Sequence, residues 1–358
     1  MTDAVRILSI DGGGIRGIIP TMVLQAILGK TKAQDAFHLI AGTSTGGIIA
    51  CGLAKPNPLS LDQILSLYVD HGYDIFNKDT QNRLHTVAGP RYQPDALVSQ
   101  LQAELADTYL SDVKNAELLV PSYAIRLPEP DEYGNTAASM FFRSWQARGL
   151  LLSGQPADKY DFKLTEIARA TSAAPTYFPP AAIHNKAGQA FTMIDGGVFA
   201  NNPTICAMVE AYHLYHSTEF LIVSLGTGMM PSQIDANAAA SWSDIAWASP
   251  IISILMDGNA QTVAFEIDEL LGEDQYTRLD VSLTSPTPQG ETIDSAMDDA
   301  IQGNLKALQD KATQLIASRQ TQIKSLGIEL AKPKAAIQPM TSLPTTSLIS
   351  KLRTATVS

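Results

Sequence analysis

Residues 5–17 read VRILSIDGGGIRG, a short apolar segment that runs into an aspartate and a glycine-rich turn. Residues 5–10 are rich in β-branched side chains and stop at the glycines, which is typical of a buried strand. Apolar residues then recur at helical spacing over 18–28, a second strand-like segment covers 37–41, and helical spacing returns over 46–53. Two strand-turn-helix units in succession predict an α/β fold.

Later segments continue this alternation. Apolar strand candidates lie at 118–125, 190–194, 219–225 and 278–283, and helical stretches separate them. Strands that alternate with helices favour a sheet with helices packed on both faces.

One large domain is expected. Residues 77–94 are polar and rich in turn formers, so they fit a loop or flap better than a domain boundary. Helical patterns at 241–271 and 292–315 close the globular part. We therefore predict a single domain over 1–330 and a C-terminal segment, 331–358, that is an extended arm or a mobile tail.

Composition excludes several classes of protein. The chain has 358 residues, of which 45% are hydrophobic, so it has ample material for a core. A formal net charge of −11 without a basic block argues against a nucleic-acid partner, because phosphate binding needs clustered Lys and Arg. The same acidity means that docking to an anionic membrane would depend on apolar contacts or a local patch.

Cysteine usage and hydropathy predict the compartment. The two cysteines, Cys51 and Cys206, lie in apolar stretches, which argues against a disulfide framework and a zinc site. The first strand candidate begins almost at the initiator Met, and no apolar run reaches membrane-spanning length. The expected location is cytoplasmic, with possible peripheral contact at membranes.

Residues 42–46 read GTSTG, a G-x-S-x-G sequence between a predicted strand and a predicted helix. This is the context of a nucleophile elbow, in which Ser44 projects its hydroxyl from a sharp turn while Gly42 and Gly46 allow close backbone packing. The structural alternative is a Ser or Thr helix cap in a glycine-rich turn. The strand and helix on either side favour the nucleophile.

The glycine-rich loop after the first strand has two interpretations. Consecutive glycines allow several backbone N–H groups to point at one place, as an oxyanion hole or a phosphate cradle requires. Gly12, Gly14 and Gly17 also satisfy the dinucleotide pattern G-x-G-x-x-G. A dinucleotide site would want an acidic residue at the end of the second strand, where the sequence instead has 41–44, AGTS. An acyl-transfer site explains both the glycine-rich loop and the GTSTG turn, whereas a dinucleotide site explains only the glycine-rich loop.

A nucleophilic serine needs a base, and no histidine is well placed to serve. The chain has six histidines, none of which follows a late strand in a small-residue turn: His38, His71, His85, His184, His213 and His216. Asp195 ends the apolar segment TMID and precedes two glycines, which should bring it to the sheet edge where Ser44 lies. Low-dielectric surroundings would raise its proton affinity, as a base requires. The rival carboxylate, Asp11, is predicted to bond to the backbone of its own loop.

Together the three motifs resemble those of the patatin-like phospholipase family, which includes the catalytic domains of calcium-independent phospholipases. The resemblance spans roughly 5–283 and includes the blocks 172–180, SAAPTYFPP, and 224–228, SLGTG, and the NNP sequence at 201–203. It implies a three-layer α/β/α sandwich with a mostly parallel central sheet. It also implies a Ser44–Asp195 dyad that works without histidine, metal or cofactor.

The resemblance further implies a lipid acyl hydrolase of the phospholipase A or lysophospholipase type. Backbone N–H groups of Gly12, Gly13 and Gly14 would form the oxyanion hole. Arg16 would brace the glycine loop or meet a lipid phosphate, and Gly196 would support the turn after the base. The expected partner is a lipid substrate reached by transient contact with a membrane surface. The alternatives are a nucleotide-binding protein and a non-catalytic binding protein that keeps the fold.

Residues 242–256 hold two of the three tryptophans and several large aliphatic side chains. Apolar helical stripes usually face the interior, so core packing is the favoured interpretation of this stretch. A lid or membrane-docking segment is the alternative.

Overall fold

The structure is a computed structural model that describes residues 4–76, 89–152, 154–229, 234–287, 290, 293–294 and 296–340. Within these residues, eight strands form one sheet. The strands are β1 (Val5–Ile10), β2 (Leu39–Gly42), β3 (Glu117–Arg126), β4 (Ala138–Arg143), β5 (Ala181–His184), β6 (Ala190–Asp195), β7 (Phe220–Leu225) and β8 (Tyr276–Leu279).

Helices connect the strands and cover the sheet. In chain order they are α1 (Ile18–Leu28), α2 (Ala33–Ala36), α3 (Thr45–Ala54), α4 (Leu61–Val69), α5 (Gly72–Ile75), α6 (Asp95–Leu105), α7 (Ser144–Ala147), α8 (Leu164–Thr171), α9 (Gly197–Ala200), α10 (Thr204–Tyr215), α11 (Ala236–Ala239), α12 (Asp244–Leu270), α13 (Gln302–Ser318) and α14 (Gln320–Leu330). Short 3-10 turns cover Gly14–Gly17, Leu110–Asp112 and Ala157–Lys159.

The sheet is mostly parallel. Strand β1 lies at its centre and pairs in parallel with β2 and β7, and the parallel pairs β2–β3 and β7–β8 extend it on either side. Strands β4, β5 and β6 pair antiparallel beyond β3.

Two apolar clusters bury the two faces of the sheet. Alternate residues of β1 point to opposite faces, so Val5 and Ile7 lie in one cluster while Leu8 and Ile10 lie in the other. Helix α10 packs on the first face, whereas α1, α3 and α13 belong to the second. The predicted three-layer α/β/α sandwich with a mostly parallel central sheet is therefore confirmed.

Strand β3 is much longer than β2, so one edge of β3 has room for a second strand beyond the end of β2. Leu119 pairs with both Ala41 of β2 and Arg143 of β4, so β2 and β4 lie on opposite edges of β3. Farther along β3, Ala124 pairs with both β4 and Met193 of β6, so β6 occupies the same edge as β2. Strands β2 and β6 therefore run towards each other along one edge of β3 and end at the same place.

Several predicted boundaries are wrong. Strands β4 and β5 were not expected, and β8 lies over 276–279 rather than 278–283, because regular pairing with β7 ends at Leu279 and only an isolated parallel bridge, Met229–Ser282, continues it. Helix α13 begins at Gln302 rather than 292, because the residues before it form turns whose polar groups bond to Asn304. Most of the predicted loop at 77–94 lies outside the described residues.

The first part of the C-terminal segment packs against the domain as an extended arm. The Lys334 ammonium donates to the carbonyls of Gln34 and Phe37 at 2.7 and 2.8 Å. The Met340 N–H donates to the Leu214 carbonyl at 2.6 Å. Residues 341–358 of the predicted arm or tail lie outside the described residues.

A helix that spans a membrane must be long and predominantly apolar. Across the described part of the chain, no helix is both long and apolar enough to cross a bilayer.

Candidate active site

Ser44 occupies a sharp turn between β2 and α3. Its backbone has φ 55° and ψ −122°, a positive φ that non-glycine residues rarely adopt. Surrounding hydrogen bonds hold this conformation: the Ser44 N–H donates to Thr171 Oγ1 at 2.9 Å, and the Thr43 hydroxyl donates to the Ala200 carbonyl at 2.6 Å. A strained serine at a helix start is the geometry of a nucleophile elbow.

Close backbone packing explains the glycines on either side of Ser44. A Cβ at Gly42 would overlap the Gly46 carbonyl, and a Cβ at Gly46 would overlap the Ile10 carbonyl. Both obstacles are backbone atoms, which cannot rotate away. The turn therefore needs glycine at both positions, as the G-x-S-x-G pattern indicated.

Asp195 lies at the end of β6, where β6 approaches the end of β2. The sequence analysis placed Asp195 at the end of an apolar strand and at the sheet edge of Ser44, and the structure adds that this strand, β6, is antiparallel to β3. Asp195 reaches the level of Ser44 because β6 pairs with the part of β3 that projects beyond β2 and runs back along it. Gly196 makes the turn that follows possible, since a Cβ there would overlap the Pro121 carbonyl.

The environment of Asp195 suits a base. Its side chain is buried, with 1% exposed, and burial raises its pKa to about 7. The Gly197 N–H, the Ser44 side chain and the charge of Arg169 each lower this pKa without cancelling the effect of burial. The Gly197 N–H donates to Oδ1 at 2.7 Å, whereas Oδ2 has no hydrogen bond of ordinary geometry from the described residues.

The backbone N–H groups of the glycine-rich loop differ in their hydrogen bonding. The Gly12 N–H already donates to the Asn201 carbonyl at 3.0 Å, so the prediction that Gly12 contributes an oxyanion donor does not fit the structure. No described acceptor bonds to the N–H groups of Gly13 and Gly14. Gly12 instead allows close packing, since a Cβ there would lie 3.1 Å from Ser44 Cβ.

Arg16 braces the glycine loop from inside the protein. Its side chain is buried, and it donates from Nε to the Gly13 carbonyl at 3.3 Å and from Nη1 to the Gly228 carbonyl at 3.4 Å. Burial lowers its pKa, and the nearby charge of Asp257 opposes this effect. Of the two roles predicted for Arg16, the buried position fits bracing the loop and does not fit a contact with a lipid phosphate.

Asp11 is structural, although not in the way that the sequence suggested. It accepts two hydrogen bonds from Arg278, at 2.9 and 2.6 Å, in a buried bidentate ion pair. It makes no hydrogen bond to its own loop through its side chain among the described contacts. The pair joins the ends of β1 and β8 below the glycine loop.

An apolar cavity opens beside the dyad. Ser44 and Asp195 are among its lining residues, and helices α3, α4 and α6 form much of its wall. Its lining is almost entirely apolar, with side chains such as Ile48, Leu67, Leu97, Leu101, Phe178 and Met297. A space of this kind accommodates a hydrocarbon chain whose reacting end lies at the serine.

None of the five described histidines lines this cavity. His71 bonds to Gln100 beside it, and His38 joins Arg6 to the C-terminal arm. His85 lies outside the described residues. The expectation of a base other than histidine agrees with this placement.

A second cavity lies on the other side of the glycine loop. Its charged lining includes Asp11, Asp257 and Asp280, with Arg278 already paired to two of these carboxylates. The lining also includes Arg319, so three carboxylates face two arginines and the remaining negative charge does not favour phosphate. The Gly12 N–H that a dinucleotide would need is occupied. The geometry therefore does not favour the nucleotide-binding alternative.

The apolar stretch 242–256 is only partly buried. Met256 is buried and its methyl group reaches the cavity, whereas Ile251 and Leu255 are 41% and 47% exposed. Trp242 and Trp247 are half-buried and pack edge to face, with ring centroids 5.0 Å apart. Core packing is therefore wrong as an account of the whole stretch, because one face of α12 lies in solvent.

Sequence reasoning missed several residues that hold the site together. Thr171 accepts from Ser44 and donates to the Pro121 carbonyl at 2.7 Å, and the Thr227 hydroxyl donates to the Gly12 carbonyl at 2.7 Å. Asn201 accepts from Gly12. Thr227 and Asn201 lie within motifs that the sequence already singled out: Thr227 follows the end of β7, and Asn201 follows the short helix α9 after Asp195.

A three-layer sandwich with a strained serine on a strand-to-helix turn places this chain in the class of α/β proteins with a nucleophile elbow. Residues 8–208 match the sequence profile described as Patatin-like phospholipase. Patatin-like protein 1 of Arabidopsis thaliana is 30% identical over 366 residues, which cover 89% of this chain and 83% of the relative. Patatin-like protein 2 of Oryza sativa subsp. indica is 32% identical over 324 residues, covering 77% and 76%.

The chain belongs to the patatin-like phospholipase family. Among solved structures, the human GIVD cytosolic phospholipase A2 superposes with a TM-score of 0.44 and 9% sequence identity, covering 91% of this chain and 60% of that one. At this TM-score the likeness adds no functional information.

Proposed function

We propose that the protein is a lipid acyl hydrolase of the phospholipase A or lysophospholipase type, with Ser44 as nucleophile and Asp195 as base. The observation that carries this proposal is the meeting of a strained serine and a buried carboxylate in the lining of an apolar cavity. Membership of the patatin-like phospholipase family supports the same reaction class.

The reaction begins with proton transfer from the Ser44 hydroxyl to Asp195 as Oγ attacks the ester carbonyl carbon. The carbonyl π electrons move to oxygen, and the N–H groups of Gly13 and Gly14 stabilise the resulting oxyanion. Collapse of the tetrahedral intermediate breaks the bond to the alcohol, which takes the proton from Asp195. Water then gives a proton to Asp195 and attacks the acyl-enzyme, and Ser44 recovers its proton as the fatty acid leaves.

The pKa of Asp195 makes these proton transfers feasible near neutral pH. A carboxylate of ordinary pKa is too weak a base to accept a proton from a serine hydroxyl, and efficient general bases have a pKa near the working pH. Burial provides this adjustment, because it raises the pKa of Asp195 to about 7. Activity is therefore expected to fall as the pH drops below about 7.

The substrate class follows from the cavity and from the exposed face of α12. An apolar cavity beside the serine suits a fatty-acyl chain, and Ile251 and Leu255 lie on the helix that also contributes Met256 to that cavity. Exposed aliphatic side chains next to a lipid cavity favour transient contact with a membrane surface. Changing Ile251 and Leu255 to Glu should reduce activity on zwitterionic vesicles while leaving hydrolysis of a soluble short-chain ester within about twofold.

The test of the function compares the wild type with Ser44→Ala and Asp195→Asn. Hydrolysis of p-nitrophenyl butyrate and of mixed phospholipid vesicles should be present in the wild type and lost in both variants. Activity that survives Ser44→Ala would refute the mechanism. A folded wild type that hydrolyses neither substrate would favour the non-catalytic alternative.

A further inference from the structure

Asn201 lies against the dyad without a role assigned to its side chain. A Cβ at Gly12 would overlap Asn201 Oδ1 and would lie 3.1 Å from Ser44 Cβ. A Cβ at Gly197 would lie 3.1 Å from both Asn201 Oδ1 and Asp195 Oδ1. The outer end of this carboxamide therefore faces the space that Ser44 and Asp195 share.

Two buried acceptors in this space lack donors. Asn201 is only 4% exposed, and its Oδ1 has no hydrogen-bond partner among the described residues. Asp195 Oδ2 also lacks a hydrogen bond of ordinary geometry from the described residues, although the Ser44 side chain is near enough to lower the pKa of Asp195. A buried oxygen without a hydrogen-bond donor is destabilising, and the Asn201 amide oxygen and the Asp195 carboxylate repel each other because both carry negative charge. A carboxamide turned by 180° about its last torsion keeps its shape and presents NH2 instead of oxygen.

We propose that Asn201 is a positioning residue whose carboxamide NH2 group faces inward and donates a hydrogen bond to the buried carboxylate of Asp195. The inference rests on the proposed function and extends it, because it adds a neutral third group to the Ser44–Asp195 dyad. Turned this way, Oδ1 faces the second cavity, which Asn201 also lines and where water is available to it.

This hydrogen bond would stabilise the ionised carboxylate of Asp195, which is the form that accepts the serine proton. Asp195 has few other supports: the Gly197 N–H, the Ser44 side chain and the charge of Arg169 on α8, which is the one charged side chain of the described residues that acts on it. In the Arg169 guanidinium, Nη2 donates to the Pro179 carbonyl at 2.6 Å, whereas Nη1 is buried and makes no hydrogen bond to a described residue, so Arg169 acts on Asp195 through its charge alone. A neutral donor beside Asp195 stabilises the ionised carboxylate without the cost of burying another charge.

The side chain of Asn201 can be removed without disturbing its backbone contact. Gly12 bonds to the backbone carbonyl of Asn201, which every substitution retains. Asn202 provides a matched control, because its buried carboxamide bonds to Thr204 and Ala260 rather than to the dyad. Asn201→Asp is nearly isosteric and replaces the donor with a second carboxylate.

The experiment measures two rates between pH 5 and pH 9.5 in the wild type, Asn201→Ala, Asn201→Asp and Asn202→Ala. One is kcat/KM for p-nitrophenyl butyrate. The other is labelling of Ser44 by an alkyl fluorophosphonate, in which the Oγ–P bond forms, fluoride leaves and the hydroxyl proton goes to Asp195. Ser44→Ala sets the background for both.

Asn201→Ala should move the acid limb of both profiles up by about one pH unit, the shift expected from one hydrogen bond to a charged group. At pH values below the limb, both rates of Asn201→Ala should be about tenfold lower than those of wild type. At pH 9 they should lie within about twofold of wild type. Asn201→Asp should shift the limb further, because two neighbouring carboxylates resist ionising together. Asn202→Ala should lower Tm without moving the limb.

A loss that is equal at every pH, or unchanged profiles, would overturn the role of Asn201. If Asn201→Ala does not fold, Asn201→Leu decides by the same criterion, because leucine has nearly the same shape as asparagine, carries no charge and cannot donate a hydrogen bond. Failure of the proposed function looks different: the wild type would then show neither hydrolysis nor labelling above the Ser44→Ala background.

Discussion

Replacing the base should make the protein more stable at neutral pH. Asp195 is buried, and burial raises its pKa to about 7 from an ordinary value of 3.8. Asp195→Asn keeps the shape of the side chain and its acceptor for the Gly197 N–H, while it removes the charge that forms as the pH rises. The difference in free energy of unfolding between the variant and the wild type therefore measures the cost of ionising this carboxyl group in the folded protein.

The sign follows from proton counts. Between the unfolded pKa near 4 and the folded pKa near 7, the folded protein holds a proton on Asp195 that the unfolded chain has released. Stability therefore falls as pH rises through this window, by about 1.36 kcal/mol per unit for one group. From pH 5 to pH 8, wild type should lose on the order of 3 kcal/mol relative to Asp195→Asn.

Urea unfolding of wild type and Asp195→Asn at pH 5 and pH 8 tests this reasoning. Other titrating groups, such as Asp11, whose pKa burial raises to about 6, contribute to both proteins and cancel in the difference. The advantage of Asp195→Asn in the free energy of unfolding should be larger at pH 8, with a higher Tm as well. An advantage that is the same at both pH values, or none, would refute the assignment of a raised pKa to Asp195.

Three further substitutions test the packing of the site. Gly42→Ala should prevent folding or lower Tm sharply, because its Cβ would overlap a backbone carbonyl in the elbow; circular dichroism melting checks this. Gly13→Ala should lower kcat by about 100-fold, because its Cβ would overlap Thr227 Oγ1 and displace an oxyanion donor; p-nitrophenyl butyrate turnover checks this. Arg278→Met should destabilise by about 3–5 kcal/mol, because Asp11 stays buried without its cation; urea unfolding checks this.

Control substitutions distinguish these specific effects from a general loss of stability. Gly258→Ala, within α12, places its Cβ in open space and should be neutral or slightly stabilising. Arg143→Met removes a less buried ion pair with Glu210 and should cost less than Arg278→Met. A Gly42→Ala protein that melts with wild type, a Gly13→Ala enzyme with unchanged kcat, or equal costs for the two arginines would each contradict the corresponding contact.

Local patterns predicted the elements that build the serine turn. The boundaries of β1 and α1 match the sequence prediction, because apolar periodicity and the adjoining glycines fix both ends. Strands β4 and β5 were missed because they pair antiparallel at the edge of the sheet and are only partly buried, so their apolar pattern is weak. The length of β3 is visible in the sequence, but its pairing with three strands is a long-range property.

The site was predicted less completely than the fold. Ser44 and Asp195 were recognisable because each follows a strand and adjoins glycine, yet the reason that they meet depends on β2 and β6 sharing one edge of β3. The hydrogen bond from Gly12 to Asn201 joins residues 189 positions apart in sequence, and no local pattern reports it. Local sequence therefore identified the groups, while tertiary pairing determines which N–H groups remain available.

The antiparallel approach of β6 explains how a carboxylate reaches the place where we propose a base instead of a histidine. An imidazole has a pKa near neutrality without help, so a histidine base needs only orientation, whereas an aspartate must also be buried to reach the same proton affinity. Strand β6 ends within the sheet, next to the end of β2, so its last side chain is buried. Asp195 is consequently 1% exposed. A histidine placed on an exposed late loop would lack this burial and would not require it. The same burial that tunes the base lowers stability at neutral pH, so the pH dependence of unfolding and the acid limb of catalysis should report one titration.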